Sequence, residues 1–354
     1  MAVYVPESFS ADEADVLRRY FTNLDGPVFA LVNLPEVVKG ALFARYSRSH
    51  KSLRRLFLDE FVGDLDVSGD HSVDATVGLD RAEELYERVF FDYGDDSVAQ
   101  LGGVHLACEQ ASNLLTKILE WGRLMSYLEQ STRYIAYDTR LGGRYRYYRD
   151  PAVLSSPLGT RYVGDIDRIF DSYSRSVDAV TEHVRSSVVR GPDDSEFVYR
   201  TATRAKALDA VRGILPAAAT SNVGIYGTGQ AFEALLLRMR ANSLPESREY
   251  ADLMLHELRK VIPSFLRRVD LADRGGRWSD YLAATRDDTA TLVGDLFGST
   301  PVEPAAEVEL VDFDPEAEDK LLAAICYSHS TLPEQQLLDR VRRLGVDERV
   351  SLLR

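Results

Sequence analysis

An apolar run, Ala111 to Glu120, leads without a break into W-G-R-L-M-S-Y-L-E-Q-S-T-R-Y (Trp121 to Tyr134) and then into I-A-Y-D-T-R-L-G-G-R-Y-R-Y-Y-R. The first must be buried as a helix, while the last, with five Arg and five Tyr between Arg133 and Arg149, must meet solvent or an anion. At the junction Arg123, Ser126, Glu129, Ser131, Arg133 and Tyr134 fall within a dozen positions. They supply two guanidinium forks, two hydroxyls, an acceptor and an aromatic platform. Arginine forks suit phosphate geometry, and a carboxylate with hydroxyls suits the edge and sugar of a nucleotide. Alone, the stretch also fits a helix end followed by a solvated basic loop.

Charge narrows the class of ligand. Forty-two Lys and Arg against 56 Asp and Glu give a net charge of −14 over 354 residues, which argues against general nucleic-acid binding and leaves room for a local pocket holding a small anion. No apolar run reaches membrane-spanning length, and the N-terminus lacks the basic and apolar regions of a signal peptide. With only Cys108 and Cys326 present, a disulfide framework is not expected and a reducing cytoplasm fits. The six scattered His suggest no zinc site.

Punctuation and periodicity organise the rest. Ser10–Asn23 reads as a capped amphipathic helix, Pro27–Asn33 as a strand, and Pro35 to about Arg45 as a helix opened by proline. Gly63–Gly78 reads as a loop, Arg81–Phe91 as a helix, and Gly102–Ala107 as a strand. Gly164–Val189 and Glu196–Ile214 are helical. The Gly-punctuated A-A-A-T-S-N-V-G-I-Y-G-T-G-Q reads as a connection. Helices follow at Ala231–Ala241 and from Pro245, the latter with Leu255, Leu258 and Ile262 on one face.

The spacing of the junction resembles the signature of flavin-dependent thymidylate synthases, R-H-R-x-x-S-x-N-E-x-S-x-R-Y. Arg123, Ser126, Glu129, Ser131, Arg133 and Tyr134 match, while Trp121, Gly122 and Leu128 replace the first Arg, the His and the Asn. The likeness extends over roughly Pro27 to Arg268. Ala44-Arg45-Tyr46-Ser47 looks like the early A-R-x-S, and Arg212-Gly213-Ile214-Leu215-Pro216 like R-x-x-L-P, with Thr220 one residue early for its Thr. Leu235-Leu236-Leu237-Arg238 looks like L-x-L-R, and Glu246-Ser247-Arg248 like E-I-R.

The resemblance implies an α/β (α+β) fold with a central mixed sheet flanked by long helices. It implies transfer of a one-carbon unit from methylenetetrahydrofolate to C5 of dUMP, with NADPH reducing FAD, in a homo-oligomer (a tetramer) whose sites are shared between subunits. Arg133, Arg212 and Arg238, beside Glu129, Ser131 and Tyr134, would hold the uridine nucleotide, the three guanidinium groups meeting in one pocket. Ser47, Ser97, Arg123 and Ser126 would contact FAD. The departures cluster on the flavin side: Asp95 stands for a flavin-contacting His, Trp121 and Gly122 remove a cation and an imidazole, and Gly227-Thr228-Gly229 replaces N-x-R. On the nucleotide side the main loss is Ile118 for Gln. Each charge-assisted hydrogen bond contributes about 1.5–3 kcal/mol. This reading therefore yields two functions: a divergent thymidylate synthase, or a flavin-deficient nucleotide-binding or scaffold copy that completes an intact partner copy. An unrelated helical nucleotide-binding protein is the outside alternative.

Several residues carry plainer expectations. Trp121 is expected in the core, His105 as a satisfied buried histidine, and Arg240 and Arg248 as solvated helix charges. Tyr145, Tyr147 and Tyr148 either stack on a base or pack.

The end of the chain echoes its beginning. V-E-L-V-D-F-D-P-E and A-A-I-C-Y-S-H-S (Val308 to Ser330) resemble V-F-A-L-V-N-L-P-E and L-F-A-R-Y-S-R-S (Val28 to Ser49), with Tyr327, Ser328 and Ser330 answering Tyr46, Ser47 and Ser49. The expected organisation is a thymidylate synthase-like domain over 1–300, a linker over 301–307 and the start of a second, incomplete repeat over 308–354. Chance similarity of two short strand-helix units is the alternative.

Overall fold

The computed structural model describes residues 4–34, 36–62, 100 and 102–354. The chain divides into two compact units, Met1–Leu292 and Val293–Arg354. The loop and helix expected at 63–78 and 81–91, with Asp95 and Ser97, lie outside the described residues.

Helix α1 (Ala11–Leu17) starts at a reciprocal cap between Ser10 and Glu13, and stops well short of Asn23. Strand β1 (Val28–Leu31) is buried on both faces, as its unbroken apolar run requires. Helices α2 (Glu36–Tyr46) and α3 (Leu53–Glu60) follow, the second capped by the Ser52 side chain. Strand β2 (Gly103–Ser112) runs on past the expected Ala107. It bends at Gln110, whose φ of 56° accompanies a register shift between Cys108 and Ala111. The bend delivers Ser112 as the cap of α4 (Asn113–Leu119).

The signature then forms β3 (Met125–Glu129), followed by α5 (Pro151–Ser155), the 29-residue α6 (Gly159–Ser187) and α7 (Glu196–Val211). Next come β4 (Thr220–Thr228), α8 (Gly229–Arg240), α9 (Pro245–Leu258) and α10 (Gly275–Phe297).

The four strands make one sheet in the order β1-β2-β4-β3, antiparallel at every pairing rather than mixed. Its centre includes β4, which the sequence reads as a connection. The glycines that suggest a loop are sites of close packing: a Cβ on Gly224 would lie 2.7 Å from the Phe43 ring, and one on Gly227 would lie 2.5 Å from Met125. One face of the sheet (Val104, Leu106, Val223, Ile225) packs on α8 and α9 through Phe232, Leu236 and Met254. The other (Phe29, Leu31, Ala107) packs on α2 and α3 through Leu42, Phe43, Tyr46 and Phe57. A third core joins Ile135, Tyr137, Tyr145 and Tyr147 to Phe170 and Tyr173 of α6 and to Leu208 of α7.

The second unit contains α11 (Ala317–Tyr327), α12 (Glu334–Val341) and α13 (Val346–Leu353), with a small core of Leu322, Ala323, Leu337 and Val341. The strand expected over Val308–Phe313 does not form: these residues are exposed and unpaired among the described residues. Without a second strand, an apolar run has no ladder to join.

Candidate functional site

Strand β3 lies at the sheet edge and alternates in exposure, so the signature splits between two faces. Met125, Tyr127 and Glu129 share the face turned to α4 and α8. Glu129 is held there by Lys117 of α4 at 2.9 Å. Tyr127 donates its hydroxyl to the Gly122 carbonyl at 2.9 Å. Burial raises the Tyr127 pKa, and the guanidinium of Arg238, at the end of α8, acts against that rise. The opposite face carries Ser126 and Leu128, with Tyr226 paired to Ser126 across the strands. All three are exposed.

After Glu129 the chain is pinned to the turn that ends α2. Gln130 is buried and donates its side-chain amide to Ser49 O at 2.6 Å, and the Ser131 N–H reaches Ser47 O at 3.0 Å. These bonds place Ser131, Thr132, Arg133 and Tyr134 on a short turn that exposes Arg133 and Tyr134. The Ser131 hydroxyl accepts from Arg133 N at 3.3 Å. The Tyr134 ring is half exposed, with the Arg48 guanidinium 5.6 Å from its centre.

Arg133 and Arg212 come together. Arg133 Nε lies 3.2 Å and Arg212 Nη2 3.0 Å from the same atom, Asp209 Oδ1. Both guanidinium groups remain about half exposed. Asp209 Oδ1 is inaccessible yet receives no well-directed hydrogen bond. The trio is thus held by charge attraction, with most N–H donors unspent, an arrangement open to an incoming phosphate. Asp209 has no counterpart in the signature; its only sequence signal is the i,i+3 spacing to Arg212.

Arg238 does not join this trio within the chain and makes no ion pair among the described residues. Of the three arginines expected in one pocket, Arg133 and Arg212 share Asp209.

Of the flavin-side candidates, Arg123 and Ser126 are exposed and carry no hydrogen bond among the described residues. Ser47 is buried, and its hydroxyl donates to Ala44 O at 3.0 Å. Trp121 is 74 % exposed rather than core, because the turn after α4 projects it outward. A Cβ on Gly122 would stand 2.8 Å from the Tyr127 hydroxyl, so local packing is committed to glycine where an imidazole is absent. One free guanidinium and one free hydroxyl do not by themselves fit a flavin diphosphate.

The aromatic segment packs. Tyr145, Tyr147 and Tyr148 are buried, with Tyr145 donating to Asp171 at 2.6 Å and Tyr147 to Asp167 at 3.0 Å. Arg149 covers the Tyr147 ring at 3.8 Å. His105 is buried between Phe43 and Tyr226, its ring 4.5 Å from the latter. Arg240 pairs with Asp252, and Arg248 donates to Asn242 O at 2.6 Å at the end of α8. No described helix is long and apolar enough to cross a membrane.

A UPF0159 protein of Chlamydia muridarum is 38% identical over 351 residues, covering 98% of this chain and 66% of the relative. One from Chlamydia pneumoniae is 37% identical over 352 residues with the same coverage, and one from Thermoplasma acidophilum is 28% identical over 340 residues, covering 89% and 63%. The chain thus spans about two thirds of the length of the curated relatives it matches. The model of the family described as thymidylate synthase complementing protein matches residues 43–264, which takes in the signature, the Asp209 trio and Arg238. Such membership supports a thymidylate synthase-related role and is compatible with flavin use. The chain belongs to the thymidylate synthase complementing protein family.

Proposed function

We propose that this chain binds dUMP and takes part in reductive methylation of its C5, with methylenetetrahydrofolate as one-carbon donor and FAD and NADPH as redox partners of the assembled enzyme. The observation that carries the reading is the Arg133–Asp209–Arg212 trio beside the Ser131 turn. In this reading both guanidinium groups turn from Asp209 to the phosphate, the Ser131 hydroxyl adds a donor, and Tyr134 offers its exposed ring to the base. Arg238 completes the phosphate site in a homo-oligomer whose sites are shared between subunits.

A second reading is favoured by Gly122 and Trp121: this body supplies the nucleotide half of a site whose flavin half comes from an intact partner copy. Calorimetric titration with dUMP and with FAD, separately, tests both. Saturable dUMP binding that weakens by about tenfold or more in Arg212→Ala supports the proposal. Stoichiometric FAD binding with the dUMP site would favour the complete enzyme, and dUMP without FAD the half-site. Tight FAD binding with no nucleotide binding refutes both.

A further inference from the structure

The two helix pairs of the chain repeat each other at a constant offset of 281 residues. Helices α2 and α11 are each 11 residues long and start at 36 and 317; α3 and α12 are each 8 residues long and start at 53 and 334. The turns between them share a hydrogen-bond pattern. Ser47 Oγ donates to Ala44 O at 3.0 Å and Ser328 Oγ to Ile325 O at 3.1 Å. The Lys51 N–H reaches Ser49 Oγ at 3.2 Å, and the Leu332 N–H reaches Ser330 Oγ at 3.0 Å. Main-chain bonds Arg48 N to Arg45 O and Ser49 N to Tyr46 O recur as His329 N to Cys326 O and Ser330 N to Tyr327 O. Chance similarity of helical hairpins does not ordinarily preserve the side-chain bonds of the turn as well.

What differs is the covering. In the first unit Tyr46 is fully buried and donates to Glu109 of β2 at 3.2 Å, β1 pairs with β2, and Ser47 O and Ser49 O accept from Ser131 and Gln130. In the second unit Tyr327 is 58% exposed, and Val308, Leu310, Val311 and Phe313 are each at least 68% exposed. Among the described residues nothing donates to Ser328 O or Ser330 O. At the same offset Leu310, Val311, the Tyr327 ring and the carbonyls of Ser328 and Ser330 answer Phe29, Ala30, Tyr46 and the carbonyls of Ser47 and Ser49, which β2 or the signature covers in the first unit.

We propose that residues 308–354 are the leading part of a second copy of the first unit's architecture, and that segment 308–313 with the turn Tyr327–Ser330 is the docking surface for a second β2-and-signature segment. The occupant is an apolar strand with a carboxylate at the Glu109 position, followed by a Gln-Ser turn that donates to Ser328 O and Ser330 O. The inference holds whatever the first unit binds.

The test is a graft in the full chain, placing residues 326–332 at 45–51 (Arg45→Cys, Arg48→His, His50→Thr and Lys51→Leu), which leaves Tyr46, Ser47, Ser49 and the Ser52 cap intact. The ion pairs lost, Arg45–Glu60 and Lys51–Asp59, are on the surface and matter little to folding. Hydrogen exchange at the Ser131 amide is expected to stay within about threefold of the parent chain, because the second turn presents the same carbonyl; acceleration beyond about a hundredfold in a folded graft overturns the proposal. Should the graft not fold, the reciprocal graft of residues 45–51 at 326–332 decides: retained protection at Leu337 and Val341 supports it, and loss there overturns it. Protection of amides 309–312 that grows with chain concentration would make a second copy of this chain the occupant and would likewise overturn it.

Discussion

Two arginine–carboxylate groupings in the first unit have similar chemistry and opposite uses. Arg54 and Glu109 are 0% and 3% exposed. Glu109 collects the Tyr4 and Tyr46 hydroxyls, the Leu53 N–H and an Arg54 Nη2 at 2.9–3.2 Å, so its capacity is filled. The Arg54 guanidinium also lies 4.2 Å over the Phe29 ring. Arg133, Asp209 and Arg212 stand half open, with an acceptor that receives no directed bond. A dry pair whose carboxylate is saturated, although Arg54 Nε finds no partner, fixes the position of β2 against α3. An unsaturated, wet trio can trade its carboxylate for a ligand at little cost.

The largest effect that tests this contrast is at Glu109. Glu109→Ala leaves Arg54 buried and unpaired, and should destabilise the chain by about 3–5 kcal/mol in urea unfolding; a loss below about 1 kcal/mol would break the comparison.

Glu246 sharpens it as a buried carboxylate without a cation. It accepts from Ser112 N at 2.8 Å and Ser112 Oγ at 2.5 Å. Burial pushes its pKa up to about 7, with Glu249 and Asp150 adding to the rise and the Ser112 hydrogen bonds opposing it. The folded chain thus keeps this proton to near pH 7, whereas the unfolded chain releases it near 4.5. Its contribution is complete below pH 4.5, declines as pH rises towards 7 and is lost above. Glu246→Gln should remove a decline on the order of 3 kcal/mol from the stability–pH curve, and an unchanged slope between pH 5 and 7 would contradict this.

Arg212→Ala should weaken dUMP binding by about 1.5–3 kcal/mol in calorimetry while leaving stability within about 0.5 kcal/mol. Equal losses of stability and affinity would erase the distinction between the two groupings. The smallest effect is at Asp209. Asp209→Asn removes the competing charge and should tighten dUMP by up to about 1 kcal/mol at low salt, the gain fading at higher ionic strength. Weaker binding would mean that Asp209 positions the guanidinium groups rather than competing for them.

Much of this was readable from residue order, and the failures have identifiable causes. Helices at 36–46, 164–187 and 196–211 announce themselves by caps, prolines and apolar stripes. Strand β4 escapes because Gly224 and Gly227 look like turn residues until Phe43 and Met125 are seen lying against them. Trp121 looks like core from its type alone, but its exposure is set by the turn that follows α4. Among the site residues, spacing brought Ser131, Arg133 and Arg212 to one place. Asp209 was invisible because no signature position carries it.

The ring of Phe43 fills the space that any side chain at position 224 would need. These positions lie far apart in the chain, one on the helix that leads to the Ser47 turn and one in the central strand beside the signature. Neither can change size alone, so descendants should alter them as a couple or leave both untouched. A lineage that enlarged 224 while keeping phenylalanine at 43 would have to lift α2 off the sheet, taking with it the two carbonyls that anchor the Ser131 turn.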